Sequence, residues 1–191
     1  MQRLKPLKVP WQVSPSTPFL RLLAEESGKC QTQVIFVASF GLRAETTERQ
    51  EAGFRSATKA INPHELADSD SEKSKTHSLV RLSFEGGLWA RISPAFSDRE
   101  VINPHEFDTS LIPYSNQPDD VGVWLKDFQS LWMKSGRCPD PGAYVVEPSQ
   151  WISSLGLKGF EHFLIQGHDA FIEVLARHWK WEEIKKLPDW W

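Results

Sequence analysis

The clearest pattern along the chain is a series of segments dense in β-branched and aromatic residues, which predict strands. Residues 32–45 (TQVIFVASFGLRAE) predict a long, central strand. Residues 78–93 (SLVRLSFEGGLWARIS) alternate apolar and polar positions around a Gly-Gly pair, which predicts a hairpin or one bulged strand. Residues 143–147 (AYVVE) predict a short strand. Residues 160–166 and 170–179 flank a tight Gly-His-Asp turn and predict an antiparallel hairpin.

Helical spacing and capping residues predict helices between these strands. Residues 16–28 (STPFLRLLAEESG) begin with Ser-Thr-Pro and end in Gly, residues that are common at the two ends of a helix. In residues 118–136, apolar residues recur at steps of three and four and predict an amphipathic helix. A short helix is expected over 149–157, capped by Ser149. Residues 180–191 predict one or two helical turns.

The order of these elements predicts an α+β fold, because hairpins outnumber strand–helix–strand units. We expect one mostly antiparallel sheet of about five or six strands, with helices packed mainly on one face. Residues 1–191 are expected to form a single globular domain. Within it we expect a flexible basic arm at 1–14, a mobile polar loop at 67–78 and an aromatic tail at 188–191.

The string INPHE occurs at residues 61–65 and 102–106, either by duplication of one unit or by convergence on the same helix start. Asn is a favoured N-cap, Pro is favoured at the first helical position, and Glu three residues after the cap can complete a capping box. Capping therefore accounts for every position except the histidine, His64 or His105. These histidines are only weak candidates for metal ligands, because adjacent residues on a helix point about 100° apart.

Composition and charge exclude several classes of function. The net charge is −3 and the chain has no RNA-binding signature, so we expect no nucleic-acid partner. It has no run of about 18 apolar residues and no secretory signal, so we expect a soluble, cytoplasmic protein without a membrane span. Cys30 and Cys138 are expected to be free thiols. Nucleotide-binding loops and the Gly-x-Ser-x-Gly motif are absent, and no cofactor is expected.

Tryptophan is unusually frequent: the chain has nine, and seven of them lie at or beyond Trp124. Trp is enriched at binding hot spots, and a chain end is usually exposed unless it docks. We therefore expect a non-enzymatic protein-binding module with an aromatic-rich surface, such as an adaptor or a cognate inhibitor of the immunity-protein type. The predicted binding residues are Trp179, Trp181, Trp190 and Trp191. Another protein is the expected partner, and a homodimer is a further possibility.

Two other functions are compatible with the sequence. A metal-dependent or general acid–base hydrolase would use His-Glu pairs, since His162 is expected to lie opposite Glu173 to within one position in the predicted hairpin. Together with His168 in the turn, these residues are weak catalytic candidates, although a cross-strand His–Glu pair is usually structural. A carbohydrate-binding module would use exposed tryptophans, but the missing secretory signal argues against the usual extracellular setting.

Overall fold

The computed structural model describes residues 1–25, 31–41, 77–86, 89–113 and 121–184. Its strands in these ranges are β1 (Gln2–Pro6), β2 (Gln12–Val13), β3 (Leu20–Glu25), β4 (Gln31–Ser39), β5 (His77–Glu85), β6 (Trp89–Pro94), β7 (Phe107–Asp108), β8 (Ala143–Glu147), β9 (Glu161–Gln166), β10 (Ala170–Ala176) and β11 (His178–Ile184). Its helices there are α1 (Val121–Ser135) and α2 (Gln150–Leu155).

These strands form two sheets. The six-stranded sheet has the order β6-β10-β9-β8-β1-β7, and the five-stranded sheet has the order β11-β5-β4-β2, with β3 also paired to β4. The pairing of β1 with β7 is parallel, and the other pairs within the described residues are antiparallel. The chain crosses between the sheets after β1, after β5 and again after β10, so each sheet combines strands from distant parts of the sequence.

The main core lies between the two sheets. Phe84 of β5 and Phe163 of β9 have ring centroids 5.1 Å apart, so side chains of opposite sheets are in direct contact. Trp11, which lies between β1 and β2 in the sequence, is fully buried and packs on Phe36 of β4. The strand residues fully buried in this core are Val34, Phe36, Ala38, Val80, Leu82, Phe84, Ala143, Phe163, Ile165, Ile172, Val174 and Ala176. This arrangement is a two-layer packing of sheets.

The predicted α+β fold class is wrong, because the protein is mostly β and a second sheet, not a layer of helices, covers the first. Helix α1 buries only Phe128 and Trp132 among its side chains, and α2 has no fully buried residue. The inner faces of both sheets are apolar, so each sheet supplies the surface that the other needs to bury.

The predicted flexible arm at residues 1–14 is also wrong. Residues 2–6 form β1, which lies between β8 and β7 in the six-stranded sheet. The side chains of Leu4 and Trp11 are fully buried. The basic residues Arg3 and Lys5 alternate with apolar ones, as expected for a strand with one solvated face.

The predicted helix at residues 16–28 is wrong where the structure describes it, because residues 20–25 form strand β3 and residues 16–19 are not helical. Strand β3 pairs antiparallel with β4 from Leu20 opposite Phe36 to Glu25 opposite Gln31. Leu20 and Leu22 pack against the inter-sheet core, whereas Leu23 packs against a cluster on the other face. The side chains therefore have the two-residue period of a strand, and pairing with β4 outweighs the helix-start signal.

Neither prediction for residues 78–93 is correct. Strands β5 and β6 do not pair with each other and do not form one strand, because β5 belongs to one sheet and β6 to the other. The predicted strand 170–179 is likewise divided, with β10 and β11 in different sheets. The helical turns predicted from residue 180 are wrong up to Ile184, since these residues continue β11 and pair with β5.

Several local predictions are confirmed. The structure contains the predicted central strand as β4, the short strand as β8, the β9–β10 hairpin and the amphipathic helix as α1. Ser149 caps α2, and Gly156 ends it in the left-handed conformation that glycine adopts most readily. The predicted loop at 67–78 is wrong at residues 77 and 78, which begin β5. Its remaining residues, the tail at 188–191 and the first INPHE string lie outside the described residues. Within the described part of the chain, no helix has both the length and the apolar character needed to span a membrane.

The position of β1 leads to a prediction about the N-terminus. We expect Leu4→Ala to lower the free energy of unfolding by about 2–5 kcal/mol, because Leu4 is fully buried and its truncation leaves a cavity. Arg3→Ala is the matched control on the same strand, since Arg3 is largely exposed, and should change it by about 0.5 kcal/mol or less. Urea denaturation of both variants measures the difference. Equal and small losses would mean that the N-terminal segment does not pack as β1.

Candidate functional site

The second INPHE string caps a single turn. The backbone N–H of His105 donates to Asn103 Oδ1 at 3.0 Å, and the backbone N–H groups of Glu106 and Phe107 both donate to the carbonyl of Asn103 at 3.1 Å. Asn103 therefore accepts the backbone N–H group expected of a cap, but the predicted helix start is wrong, because β7 begins at Phe107. Glu106 accepts from the side-chain amide of Asn103 at 3.1 Å, which differs from a standard capping box.

The histidine of this string lies on the surface. His105 is exposed, and its ring contacts Phe96 edge-on at 6.2 Å between centroids. Within the described residues, no group of three or more His, Cys, Asp or Glu side chains is arranged to hold a metal ion. His64, the corresponding residue of the first string, lies outside the described residues.

His162 and Glu173 meet on the outer face of the six-stranded sheet. In the β9–β10 register, His162 lies opposite Leu175 and Glu173 lies opposite Leu164, so the two are diagonal neighbours and not the direct pair that was expected. His162 Nε2 is nevertheless 3.1 Å from Glu173 Oε1. Both residues are buried, at 1% and 2% exposure. His168 lies at the opposite end of the hairpin, exposed beside Asp169, and takes no part in this contact.

Ser149 extends the contact into helix α2. Its Oγ is 2.9 Å from His162 Nδ1 and accepts the backbone N–H of Ile152 at 3.1 Å. An ionised Glu173 can only accept hydrogen bonds, so His162 Nε2 must be the donor to it. In the neutral imidazole, Nδ1 is then left to accept the Ser149 O–H. One chain of hydrogen bonds therefore runs from the start of α2 through His162 to Glu173.

Arg91 closes the network from edge strand β6. Its Nε donates to Glu173 Oε2 at 2.6 Å and a terminal nitrogen donates to Glu173 Oε1 at 2.9 Å, which is a bidentate pair. The guanidinium lies over the ring of Trp151, 4.4 Å from its centroid. Trp151 also contacts the ring of His162 edge-on at 5.5 Å. Three strands and one helix thus contribute to a single polar cluster, defined by Arg91, Ser149, Trp151, His162 and Glu173.

Burial and hydrogen bonding act in opposite directions on Glu173. Burial alone would raise the pKa of this carboxyl group, but hydrogen bonds from His162 and Arg91 and the charge of Arg91 lower the pKa below its ordinary value. Glu173 is therefore ionised near neutral pH, with its charge balanced by Arg91. The polar groups of the cluster have partners, as buried polar groups require.

The cluster has the residue types of a serine-hydrolase triad, in the same hydrogen-bond order. Its environment favours a structural role. The Ser149 oxygen already caps α2, His162 and Glu173 are almost fully buried, and Trp151 lies against the imidazole. In this arrangement the cluster holds α2 on the outer face of the sheet.

A second polar cluster surrounds Cys138. The thiol donates to the backbone carbonyl of Asp140 at 3.1 Å, and the hydroxyl of Tyr144 donates to Asp140 Oδ1 at 2.6 Å. Burial raises the pKa of both the Cys138 thiol and the Asp140 carboxyl group. Because the thiolate is the reactive form, Cys138 is a poor nucleophile near neutral pH.

The described tryptophans differ widely in exposure. Trp11 and Trp132 are buried, and Trp181 is exposed at 37%; those that are half-buried are Trp89, Trp124, Trp151 and Trp179. Trp179 contributes to the inter-sheet core, with its ring 6.1 Å from that of Phe163. Trp181 lies on Trp11 and Phe40, at 6.2 and 6.3 Å between centroids. Trp190 and Trp191 lie outside the described residues.

Sequence reasoning missed three members of the cluster around Glu173, namely Arg91, Ser149 and Trp151. Ser149 was expected only as a helix cap, and nothing in its local pattern connects it with His162. Arg91 is 82 positions from Glu173 and approaches it only because β6 pairs with β10. The predicted hairpin was the one signal that brought His162 and Glu173 together.

Neither protein-family models, nor curated proteins, nor solved structures give a match to this chain. No relative therefore suggests a role for these side chains. What Glu173, His162 and Trp181 can do follows from their own contacts.

The cluster around Glu173 makes a prediction about stability. We expect Glu173→Gln to lower the free energy of unfolding by about 2 kcal/mol, because the variant loses charge-assisted hydrogen bonds to Arg91 and leaves His162 with a poorer partner. The loss should stay moderate, because the Arg91 side chain is half exposed and can be solvated. Glu147→Gln is the control, since its pair with Lys5 is exposed, and should cost about 0.5 kcal/mol or less.

The same substitution should change the response to acid. The pKa of Glu173 is lower in the folded protein than the ordinary value of 4.5, so its stabilising effect is complete above that pH and declines as the pH falls toward the folded-state pKa. The difference in unfolding free energy between wild type and Glu173→Gln should therefore be constant near neutral pH and shrink below 4.5. Urea denaturation at several pH values measures it. A difference that does not depend on pH would contradict the ion pair.

Proposed function

We propose that this chain is a non-enzymatic protein-binding module that contacts another polypeptide through edge strand β11 and Trp181. The observation that carries the proposal is the combination of an edge strand with an exposed aromatic ring. Within the described residues, β11 pairs only with β5, over its full length from His178 to Ile184. Its other side offers backbone N–H and C=O groups to a further strand. An adaptor or a cognate inhibitor of the immunity-protein type could use such a surface.

Trp181 is suited to the role of an anchor in this surface. It is the only exposed tryptophan of the described residues, and its ring is supported by Trp11 and Phe40. A ring held in place loses less conformational entropy when a partner binds. Trp is also the residue most enriched among binding hot spots.

A carbohydrate-binding module receives less support from the same residues. Such a surface would be expected to present several aromatic faces side by side for stacking. In the described part of the chain, the other tryptophans are buried or half-buried, and Trp179 packs into the core.

A serine-dependent hydrolase is a second candidate, favoured by one specific observation. The hydrogen bonds from Ser149 to His162 and from His162 to Glu173, at 2.9 and 3.1 Å, have the order needed to activate a serine hydroxyl. Catalysis would require α2 or Trp151 to move, because a substrate must reach Ser149 Oγ.

Site-specific photo-crosslinking tests the protein-binding proposal. We expect Trp181→p-benzoylphenylalanine, expressed in the native cells, to give a covalent adduct with another polypeptide on irradiation. The matched control is Phe96→p-benzoylphenylalanine, because Phe96 is also aromatic and more exposed, at 48%, but lies in the loop after β6 and not on β11. Adduct yield at position 181 should exceed that at position 96 severalfold. Equal yields, or none at position 181, would contradict the proposal.

A fluorophosphonate probe, which labels activated serines, tests the second candidate. If Ser149 is a nucleophile, the wild type is labelled, Ser149→Ala is not, and Ser153→Ala keeps its label as the matched control within the same helix. The structural role predicts no labelling of any of the three, because Ser149 is almost fully buried and its oxygen caps α2. Labelling that is specific to Ser149 would replace the proposed function.

A further inference from the structure

We infer that the polypeptide bound by β11 is a second copy of this chain, paired antiparallel with its own β11 across a two-fold axis. This inference rests on the proposed function, because it identifies the partner of the same edge. It is carried by the order of charged residues along β11, which is complementary to itself in one register.

Geometry limits the registers in which a strand can pair with its own copy. Residues opposite each other in an antiparallel pair point to the same face, and neighbours along a strand point to opposite faces. A two-fold axis between two copies of one strand must therefore pass beside a single residue that lies opposite its own symmetry mate. For β11, Trp181 is the middle residue of the seven, so an axis at Trp181 pairs the strand over its full length.

Among the Lys and Glu residues of β11, only this register places opposite charges opposite each other. With the axis at Trp181, Lys180 lies opposite the partner's Glu182, and the symmetry repeats the pair. With the axis one residue earlier, Lys180 would lie opposite the partner's Lys180. With the axis one residue later, Glu182 would lie opposite the partner's Glu182. Both alternatives place like charges side by side, which destabilises a strand pair, and also leave the strand ends unpaired.

The neighbouring strand extends the charge pattern. Arg81 of β5 lies opposite Glu182 and donates to its Oε1 at 2.9 Å. In the paired dimer, a row of alternating charge would run from Arg81 through Glu182 to the partner's Lys180 on one face of a continuous sheet. On the other face, Trp181 would lie beside the partner's Trp181, which covers the exposed part of its ring.

Charges on edge strands often serve to prevent pairing, and Lys is the residue most used for this purpose. Such protection is expected to repel strands in any register. In β11 the repulsion depends on register, because Lys180 and Glu182 have opposite signs and lie on the same face. The two roles therefore differ in what a charge reversal should do.

Sedimentation velocity of the purified chain over a range of concentrations tests the inference. We expect a reversible dimer with a Kd on the order of 10–100 µM, since an edge pairing buries a small area. Lys180→Glu and Glu182→Lys should each weaken association by about tenfold or more, because each places two pairs of like charges in the interface. An equimolar mixture of the two variants should associate at least as well as the wild type, because opposite charges again lie across from each other.

A disulfide test determines the register without any change of charge. This independence is needed because Glu182→Lys also removes the contact between Glu182 and Arg81. Under mild oxidation, Trp181→Cys should form a covalent dimer, because residues opposite each other have Cα atoms about 4.5–5.5 Å apart, within disulfide range. Glu183→Cys is the matched control and should not, since the two copies of position 183 would lie about 13 Å apart along the strands.

A chain that stays monomeric at about 1 mM would overturn the inference, as would a dimer that responds to neither charge reversal nor their mixture. Covalent dimers at position 183 but not at 181 would also overturn it. The proposed function fails separately: it survives if the photo-crosslinked partner at position 181 is a different protein, and it falls if the adduct yield at position 181 does not exceed that at position 96.

Discussion

The burial of two apolar sheet faces against each other is the constraint on which the rest of this structure depends. Phe36 and Phe84 of one sheet and Phe163 of the other are fully buried between them, and a sheet with such a face is not stable alone in water. The chain satisfies this constraint by crossing between the sheets after β1, after β5 and after β10. The later two crossings leave β6 and β11 at sheet edges, so the position of these edge strands is a consequence of how the core is built.

The outer face of the six-stranded sheet is organised by a buried charge. Glu173 loses solvation when it is buried, and the contacts with Arg91 and His162 offset that cost. The cluster contacts α2 through Ser149, which lies 2.9 Å from His162, and through Trp151, which packs against Arg91 and His162, so removal of one partner leaves the others unsatisfied. The same atoms could support catalysis if Ser149 became accessible, so a structural and a catalytic role differ here in access and not in hydrogen-bond geometry.

Local patterns predicted those elements whose signals are complete within the segment itself. Helix α1, strands β4 and β8 and the β9–β10 hairpin belong to this class. Strands β3 and β11 were misread as helical because their pairing partners, β4 and β5, decide their conformation. The predicted fold class was wrong for a related reason. An apolar sheet face predicts that another element packs against it, but it does not predict whether that element is a helix or a second sheet. In the cluster around Glu173, the contact between His162 and Glu173 lies within one hairpin and could be predicted. Arg91 is 82 positions from Glu173 and reaches it only because β6 pairs with β10.

The edge of β11 shows how protection against aggregation and specific recognition can use the same residues. A single Lys on an edge strand disfavours pairing with any incoming strand. Lys180 and Glu182 lie two positions apart on one face, and together they disfavour only those strands whose positive and negative residues do not run in the opposite order. An antiparallel copy of β11 presents that reversed order, because reversing the strand direction exchanges positions 180 and 182 about Trp181. An unrelated strand would match it only by carrying Glu and Lys at the same spacing and facing the same side. The charges at Lys180 and Glu182 therefore restrict which strand can pair with this edge.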